Sequence, residues 1–401
     1  MKRYINFLKS EKLVRKLVLI QLISYFGAWF SNVAIYTLLI QMNVSVMIIA
    51  LVAALHFLPG ALIAPFSGAI IDKYPPKILL KTLIIIEIIA TFLLTLVSDA
   101  SYIYLLYILV FIRMGAASFY FTTEMSLLPK LLKNESLHIA NEIQSIVWSL
   151  SYTVGMALSG FFVYKFGVMM AFIVDGFMFI VALLLLLPLE LPKNKNIVEQ
   201  KILLMMKDTF TYIKSNPVIL ALITLHATVG FTAYDALMVL IVDYYYSDLL
   251  AVSLALGLLN SFRAIGLVIG PLFISKLINN SSLTYLFILQ GLTLFIFSSF
   301  LDSFYLTLFT SIIVGLSATT LWSYTYTLLQ HHTDSAYYGR VVAYNDMFFL
   351  LVASFSGFLI GFLANFKVSL VSITDIFGVI FILCGLYYIW LKNKFVLKEV
   401  K

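Results

Sequence analysis

Residues 191–216, LPKNKNIVEQKILLMMKDTFTYIKSN, form the longest polar connection in the chain and include five lysines. The chain as a whole is 62% hydrophobic and only 11% charged. Soluble domains are roughly half apolar and about a quarter charged, so the composition indicates an integral membrane protein. The segment divides the chain into two apolar parts, and its portion 197–213 is predicted to form an amphipathic helix on the inner membrane surface.

Apolar runs on either side of this segment are long enough to cross a bilayer, since a membrane-spanning helix needs about 20 residues. Leu, Ile and Phe dominate these runs without alternation, which predicts helices rather than a β-barrel. The predicted fold class is all-α integral membrane, with twelve transmembrane helices in two pseudo-symmetric six-helix bundles. The predicted bundles are 1–190 and 217–401, joined by a cytoplasmic central loop at 191–216. The predicted spans are 16–41, 45–71, 78–98, 101–127, 139–164, 168–190, 217–242, 249–275, 282–300, 303–329, 338–364 and 369–391.

The distribution of basic residues predicts the orientation of these spans. With both termini placed in the cytoplasm, 22 of the 26 lysines and arginines fall on the inner side. Lys165 and Lys367 are outside, and Arg113 and Arg263 lie within spans. This bias follows the positive-inside rule and predicts a multi-pass protein of the cell (inner) membrane. The net charge of +7 therefore reflects the placement of basic residues on the inner side of the membrane, and nucleic acid is not an expected partner.

Several sites with recognisable sequence patterns are missing. The single Cys384 excludes an internal disulfide and a cysteine-cluster metal site. No GxxxxGK[ST] nucleotide-binding loop is present. We therefore expect no metal or cofactor. The expected form is a monomer, with membrane lipids and a small-molecule substrate as its partners.

The two halves align with one another at a shift of 200–203 residues. Because each half contains an even number of predicted spans, both halves have the same orientation, as in two-bundle secondary transporters. Such halves can rock about a central site and expose it to each side in turn. The aligned pairs are Asn32 with Asp235, Gly115 with Gly315, and Asp175 with Asp375.

The loop between the second and third spans, GAIIDKYPPKILLK (68–81), resembles the signature loop of the major facilitator superfamily. That pattern is a glycine, three residues, an aspartate, a basic residue, and then a turn with further basic residues. Gly68, Asp72 and Lys73 occupy its positions here. The resemblance implies the twelve-helix major facilitator fold and a gating role for these three residues.

Three further stretches, 111–162, 171–186 and 337–346, are similar to the branch that contains macrolide-efflux and enterobactin-export proteins. Arg113 with Gly115, and the Gly-Arg-Val sequence around Arg340, carry this similarity. It implies a proton-linked exporter, with protons as a partner and the proton gradient as the energy source, but does not name the cargo. We expect an antiporter of a small amphiphilic compound, either a drug, with multidrug resistance as the result, or a siderophore-like molecule. Arg340 is accordingly a gating candidate.

Charges inside the predicted spans are candidates for cargo binding or proton coupling, because a charge at mid-bilayer costs at least about 2.5–3.5 kcal/mol. Asp235 lies in the outer half of the seventh span, which by resemblance lines the central cavity. It is either a coupling acid or a structural hydrogen-bond partner of a residue such as Asn32. Arg113 either binds an anionic cargo or forms a permanent ion pair, for which Glu87 is the suggested partner. The candidates for substrate contact or proton coupling are Asp235, Arg113, Asn32, Arg263 and Glu87.

Other polar residues have two interpretations each. Arg263, three residues after Asn260 on the same helical face, either contacts substrate or is structural. Glu124 belongs either to the inner gate or to a solvated helix end. Asp175 and Asp375 are predicted to be structural because they occupy equivalent positions.

Other functions remain open at this stage. A metal-ion exporter would require His226 and Asp235 to share a metal, which is possible only if the helix breaks near Gly230. A nutrient importer would have the same fold. A polytopic enzyme would need a concentrated His, Asp and Glu set at one membrane face, and a sensor would need a soluble output domain. The sequence shows neither, so we do not expect an enzyme.

Overall fold

A computed structural model of the chain describes residues 2–132, 134–192, 202–274, 277–334 and 337–397. In this part of the chain every regular element is helical. The helices are α1 Lys2–Ser10, α2 Lys12–Gln41, α3 Val46–Leu55, α4 Leu58–Lys73, α5 Pro76–Leu93, α6 Ile103–Leu131, α7 Asn134–Phe166, α8 Val168–Leu186, α9 Ile202–Ser215, α10 Pro217–Thr228, α11 Asp235–Ile241, α12 Val252–Ile274, α13 Leu283–Ser298, α14 Phe304–His332, α15 Tyr338–Asn365 and α16 Leu370–Lys394.

Eleven helical segments of the described chain are long and apolar enough to cross a membrane. The remaining apolar segment is α13, which has 16 residues. At 1.5 Å per residue α13 is about 24 Å long, shorter than the roughly 30 Å hydrocarbon core of a bilayer. The all-helical membrane fold is confirmed. The twelfth span and the cytoplasmic termini stay predictions.

Contacts between helices divide the chain into two compact units. Unit 1 comprises 1–43 and 66–199, and unit 2 comprises 44–65 and 200–401. Residues 44–65, most of the second predicted span, therefore group with unit 2. In unit 1, α2 packs on α7 and α8, and α5 packs on α6 and α8.

Close packing of small residues holds α3 against α15 in unit 2. A Cβ added at Gly361 would lie 2.0 Å from the Cβ of Ala50, so only glycine permits this separation. The hydroxyl of Ser354 donates a hydrogen bond to the carbonyl oxygen of Ala54 at 3.0 Å. Helices in a membrane associate through such close van der Waals contacts and interhelical hydrogen bonds, because lipid is as apolar as the side chains.

The described part of the central connection contains the predicted amphipathic helix, as α9, whereas residues 193–201 lie outside the described residues. Tyr344 donates to the carbonyl oxygen of Met206 at 3.1 Å, which joins α9 to α15. The ring of Tyr212 stacks on that of Tyr337 with centroids 4.0 Å apart. Aromatic side chains thus pack α9 against the rest of unit 2.

Candidate functional site

The seventh predicted span is interrupted in the structure. Helix α10 ends at Thr228, a 3-10 turn occupies Val229–Thr232, and α11 begins at Asp235. A Cβ at Gly230 would lie 2.6 Å from the carbonyl oxygen of Phe349, so this turn presses directly against the backbone of α15. The sequence predicts one continuous helix over 217–242, and the structure corrects that prediction. Gly230 permits this close approach, because a side chain at position 230 would overlap the backbone of α15.

Side chains from α12 and α15 bind the backbone carbonyl groups at this interruption. Arg263 donates from Nη2 to the carbonyl oxygen of Thr232 at 2.8 Å. Ser356 donates from its hydroxyl to the carbonyl oxygen of Ala233 at 3.1 Å. Non-helical backbone at membrane depth must find such partners within the protein, because lipid offers none. Arg263 therefore has a structural role at the interruption, and its predicted contact with substrate stays a prediction.

Tyr234 extends this network towards α13. Its ring lies 5.2 Å from the guanidinium carbon of Arg263, a cation–π distance. Its hydroxyl accepts a hydrogen bond from Nε2 of Gln290 at 3.4 Å, and Oε1 of Gln290 accepts one from the hydroxyl of Ser317 at 2.5 Å. The interruption is therefore held from three neighbouring helices and is a fixed feature of unit 2.

Arg263→Met is expected to lower the free energy of unfolding by about 1.5–3 kcal/mol, the usual contribution of a hydrogen bond to a charged group. Thermal unfolding of the purified protein in detergent measures this change. Ser356→Ala removes a neutral hydrogen bond from the same turn and is expected to cost less, about 0.5–1.5 kcal/mol. An Arg263→Met protein as stable as the wild type would show that Arg263 does not hold the turn.

Asp235 is the first residue of α11 and is partly buried. Within the described ranges its carboxylate has no ion pair or hydrogen bond. Asn32, the residue aligned with it, is partly buried in α2 of unit 1. Asp235 is therefore an acid that unit 2 leaves available to a proton or a cargo.

His226 lies one helical turn before the interruption and is fully buried in unit 2. Its Nδ1 is 2.8 Å from the hydroxyl of Thr325. The rings of Trp322, Tyr326 and Phe349 surround it at centroid distances of 5.4–5.7 Å. The helix break that the metal interpretation requires is present, but no group of three or more His, Cys, Asp or Glu side chains suited to a metal ion occurs among the residues that the structure describes.

Arg113 of α6 forms a buried ion pair with Asp175 of α8. Its Nη2 is 2.7 Å from Oδ2 of Asp175, and the two side chains are 1% and 0% exposed. Arg113 also donates from Nε to the hydroxyl of Thr91 at 3.1 Å, and Ser31 donates to Asp175 Oδ2. The suggested pairing of Arg113 with Glu87 is therefore wrong. The place of Asp175 in this pair is consistent with its predicted structural role.

Glu87 and Glu124 are both buried in unit 1, with exposed fractions of 4% and 1%. Glu124 accepts a hydrogen bond from Nε2 of Gln144 at 3.5 Å. The interpretation of Glu124 as a solvated helix end is therefore wrong. Glu87 lies near enough to Arg113 and Asp175 to interact with their charges.

The other predicted gating residues lie near the end of α4 and at the start of α15. A Cβ added at Gly68 in α4 would have no atom within 4 Å, so this glycine is not needed for close packing here. Lys73 lies 5.8 Å from the ring of Tyr74, and Arg340 lies 4.9 Å from the ring of Tyr337. Asp72 is in the last turn of α4, and its side chain is outside the described part of the chain. Their gating roles stay predictions.

Neutral polar residues that the sequence analysis did not single out complete the hydrogen-bond networks around Arg263 and around Arg113. Gln290 is the single side-chain amide of its predicted span. That isolation is a signal that could have indicated Gln290, because a buried polar group needs a partner, whereas the hydroxyl residues are too common in these spans to stand out. These residues are Ser31, Thr91, Gln290, Ser317 and Ser356.

Comparisons with known proteins agree with this fold. Residues 17–357 match the model of the family described as Major Facilitator Superfamily. The crystal structure of the nucleoside transporter NupG superposes with a TM-score of 0.71 at 12% identity, covering 95% of this chain and 99% of that one. A bacterial homologue of the human lysosomal transporter Spinster, in an inward-facing conformation, gives 0.72 at 14% identity, covering 96% and 97%. A D-xylose–proton symporter gives 0.72 at 12% identity, covering 94% and 97%. Comparison with curated protein sequences gives no significant match.

Proposed function

Because the chain belongs to the major facilitator superfamily, we propose that it is a secondary active transporter of the cell (inner) membrane that exports a small amphiphilic compound in exchange for protons. The family and the three structural relatives, all of them transporters by name, support transport rather than catalysis. Export, and a drug or siderophore-like cargo, rest on the similarity of 111–162 to macrolide-efflux and enterobactin-export proteins.

The position of Asp235 is the observation that carries proton coupling in this proposal. The acid lies where the seventh span is interrupted, is partly buried, and has no partner for its carboxylate in the described part of unit 2. Interrupted helices commonly form the substrate and ion sites of secondary transporters. A partly buried carboxylate without a fixed cation can bind either a proton or a cationic group of a cargo.

The proposed cycle is alternating access. Cargo binds from the cytoplasm or the inner leaflet while Asp235 is ionised. A proton from the outside then converts the carboxylate to the neutral acid, and the cargo leaves. The loop that contains Gly68, Asp72 and Lys73, together with Glu124 and Arg340, resets the inner gate before the proton is released to the cytoplasm.

A growth screen identifies the cargo class. The protein is expressed in a host that lacks its own efflux pumps, and growth is measured against a panel of toxic compounds, siderophores and metals. Selective protection against amphiphilic compounds supports the proposal, whereas protection against metals alone favours a metal-ion exporter.

The second candidate is a nutrient importer, which is favoured by the relatives that are named as a nucleoside transporter and a D-xylose–proton symporter.

Asp235→Asn is expected to abolish nearly all gradient-driven transport, because the amide keeps the shape of the side chain but cannot take up a proton. The measurement is flux of the compound from the screen in proteoliposomes with an imposed pH gradient. Exchange of labelled for unlabelled compound without a gradient should persist. Asp248→Asn, at an exposed residue beyond the end of α11, is the control. Full gradient dependence in Asp235→Asn would remove Asp235 from the coupling step.

A further inference from the structure

A small cavity lies beside Glu87 in unit 1. Its polar lining consists of Ser24, Tyr25, Glu87 and Tyr120, contributed by α2, α5 and α6. The remaining lining is apolar and comes from Ala28, Ile84, Ala117 and Phe179. The cavity volume is about 40 Å³. Since one water molecule needs roughly 10–15 Å³ of such space, the cavity has room for about three or four.

Two hydroxyl groups of the cavity wall have no protein partner. Ser24 is 4% exposed and Tyr120 is 3% exposed, and neither Oγ nor Oη has a hydrogen bond to any other described residue. Buried polar atoms in native proteins nearly always have a partner, which is often an ordered water. Polar lining, unsatisfied hydroxyl groups and sufficient volume together indicate a hydrated cavity.

A second carboxyl group adjoins the cavity wall one turn further along α6. Glu124 follows Tyr120 by four residues, so both side chains lie on the same face of the helix. Oε2 of Glu124 has no hydrogen-bond partner within the described ranges, while Oε1 is bonded to Gln144 of α7. Glu124 interacts electrostatically with both Tyr25 and Tyr120, and so does Glu87.

Among the described residues, neither Glu87 nor Glu124 has a positively charged partner of its own. The groups that act on Glu87 are Arg113 and Asp175, and they already form an ion pair with each other. For Glu124, the neighbouring polar groups are Gln144 and the two tyrosines. An ionised, unpaired carboxylate in such a site is costly, so a change of charge here requires a proton or water.

We propose that Glu87 and Glu124, connected by Tyr25, Tyr120 and water in the cavity, form a proton-binding site within unit 1. This deepens the proposed function, because the site would hold a transported proton at a second place besides Asp235. It rests on that function only for the use made of the proton. On α6 the site comprises Tyr120 and Glu124, which are four residues or about 6 Å of helix rise apart.

The chemistry is a simple acid–base equilibrium. A carboxylate takes a proton from a hydronium ion and becomes a neutral carboxylic acid, leaving water. A tyrosine hydroxyl can relay the proton by accepting one from a neighbouring water as it donates its own to the next. No covalent intermediate or further reactant is needed. Release to the opposite side is the reverse reaction.

Infrared difference spectroscopy of the purified protein tests the site without any cargo. A change from acidic to alkaline pH should remove a carbonyl band of buried, protonated carboxyl groups. Glu87→Gln and Glu124→Gln should each remove one contribution to this band, and Tyr120→Phe, which removes the hydroxyl between them, should shift it. Glu190→Gln, at an exposed residue, is the matched control and should leave the band unchanged.

Thermal unfolding of each variant establishes that it is folded, and each glutamine variant is isosteric with the residue it replaces. A band that is the same in wild type, Glu87→Gln and Glu124→Gln overturns the proposed site, and so does the absence of any such band in the wild type. Flux measurements separate this outcome from failure of the proposed function. A wild type with the band but without gradient-driven flux contradicts proton-coupled transport and leaves the proton site standing, whereas gradient-driven flux without the band overturns the site alone.

Discussion

Asp175→Asn is expected to lower the free energy of unfolding by about 3–5 kcal/mol, because it removes one partner of a buried ion pair. The amide retains the shape of the side chain and its contact with Ser31, so the change is mainly one of charge. Arg113, which is 1% exposed, would keep its positive charge without its ion-pair partner, in contact with Thr91 and the face of Phe179 and with the carboxyl group of Glu87 in electrostatic range. An uncompensated buried charge is among the most destabilising features that a single substitution can create.

The second substitution Arg113→Met, added to Asp175→Asn, is expected to restore most of the lost stability. It removes the unpaired charge and keeps a long apolar side chain in its place, and replacing a whole buried ion pair is often neutral. Thermal unfolding in detergent compares wild type, the single variant and the double variant. If Asp175→Asn is as stable as the wild type but fails to transport, the pair is not structural and Arg113 regains its predicted role in cargo binding.

Most of the helical architecture could be predicted from sequence, because hydrophobicity and span length determine it. Apolar runs indicate the helices, and the basic residues indicate an expected orientation. The interruption at 229–234 was not predicted. Gly230 is the local signal, and a single glycine does not show by itself that a helix ends there. The interruption depends on partners far away in sequence, Arg263 and Ser356, which bind the freed carbonyl groups.

The candidate site was predictable as a set of charged residues but not as pairs. The suggested partner of Arg113 was Glu87, because both lie in neighbouring predicted spans. The repeat offered a different signal, because the position aligned with Arg113 at a shift of 200 residues is Ile313. Asp375 in unit 2 accordingly accepts a hydrogen bond from Ser298 at 2.6 Å, and among the described residues it forms no ion pair with an arginine. Which residues meet across a bundle depends on helix rotation, and the apolar faces alone do not determine it.

Replacing both Gly266 and Gly270 with alanine is expected to destabilise unit 2 strongly. A Cβ at Gly266 would lie 2.0 Å from the carbonyl oxygen of Ile312, and one at Gly270 would lie 1.8 Å from that of Leu316. Both oxygens belong to the backbone of α14, so a rotamer change cannot relieve the overlap, and α12 and α14 must separate. Overpacking of this kind costs about 1–3 kcal/mol at each position, and sometimes more.

The direction of this change distinguishes packing from helix propensity. Glycine is about 1 kcal/mol less favourable than alanine inside a helix, so propensity alone would make both substitutions stabilising. Gly339→Ala in α15 is the matched control, because nothing lies within 4 Å of a Cβ at that position, and its stability should be unchanged or slightly higher. Thermal unfolding of the wild type, the double variant and Gly339→Ala measures the difference.

Separation of α12 from α14 also moves Arg263, whose backbone carbonyl oxygen would lie 2.2 Å from a Cβ added at Gly315. The double variant should therefore also lose the contact between Arg263 and Thr232 that holds the interruption beside Asp235, and with it gradient-driven transport. An alanine pair that melts at or above the wild-type temperature would show that the two helices are not held at this separation by their glycines.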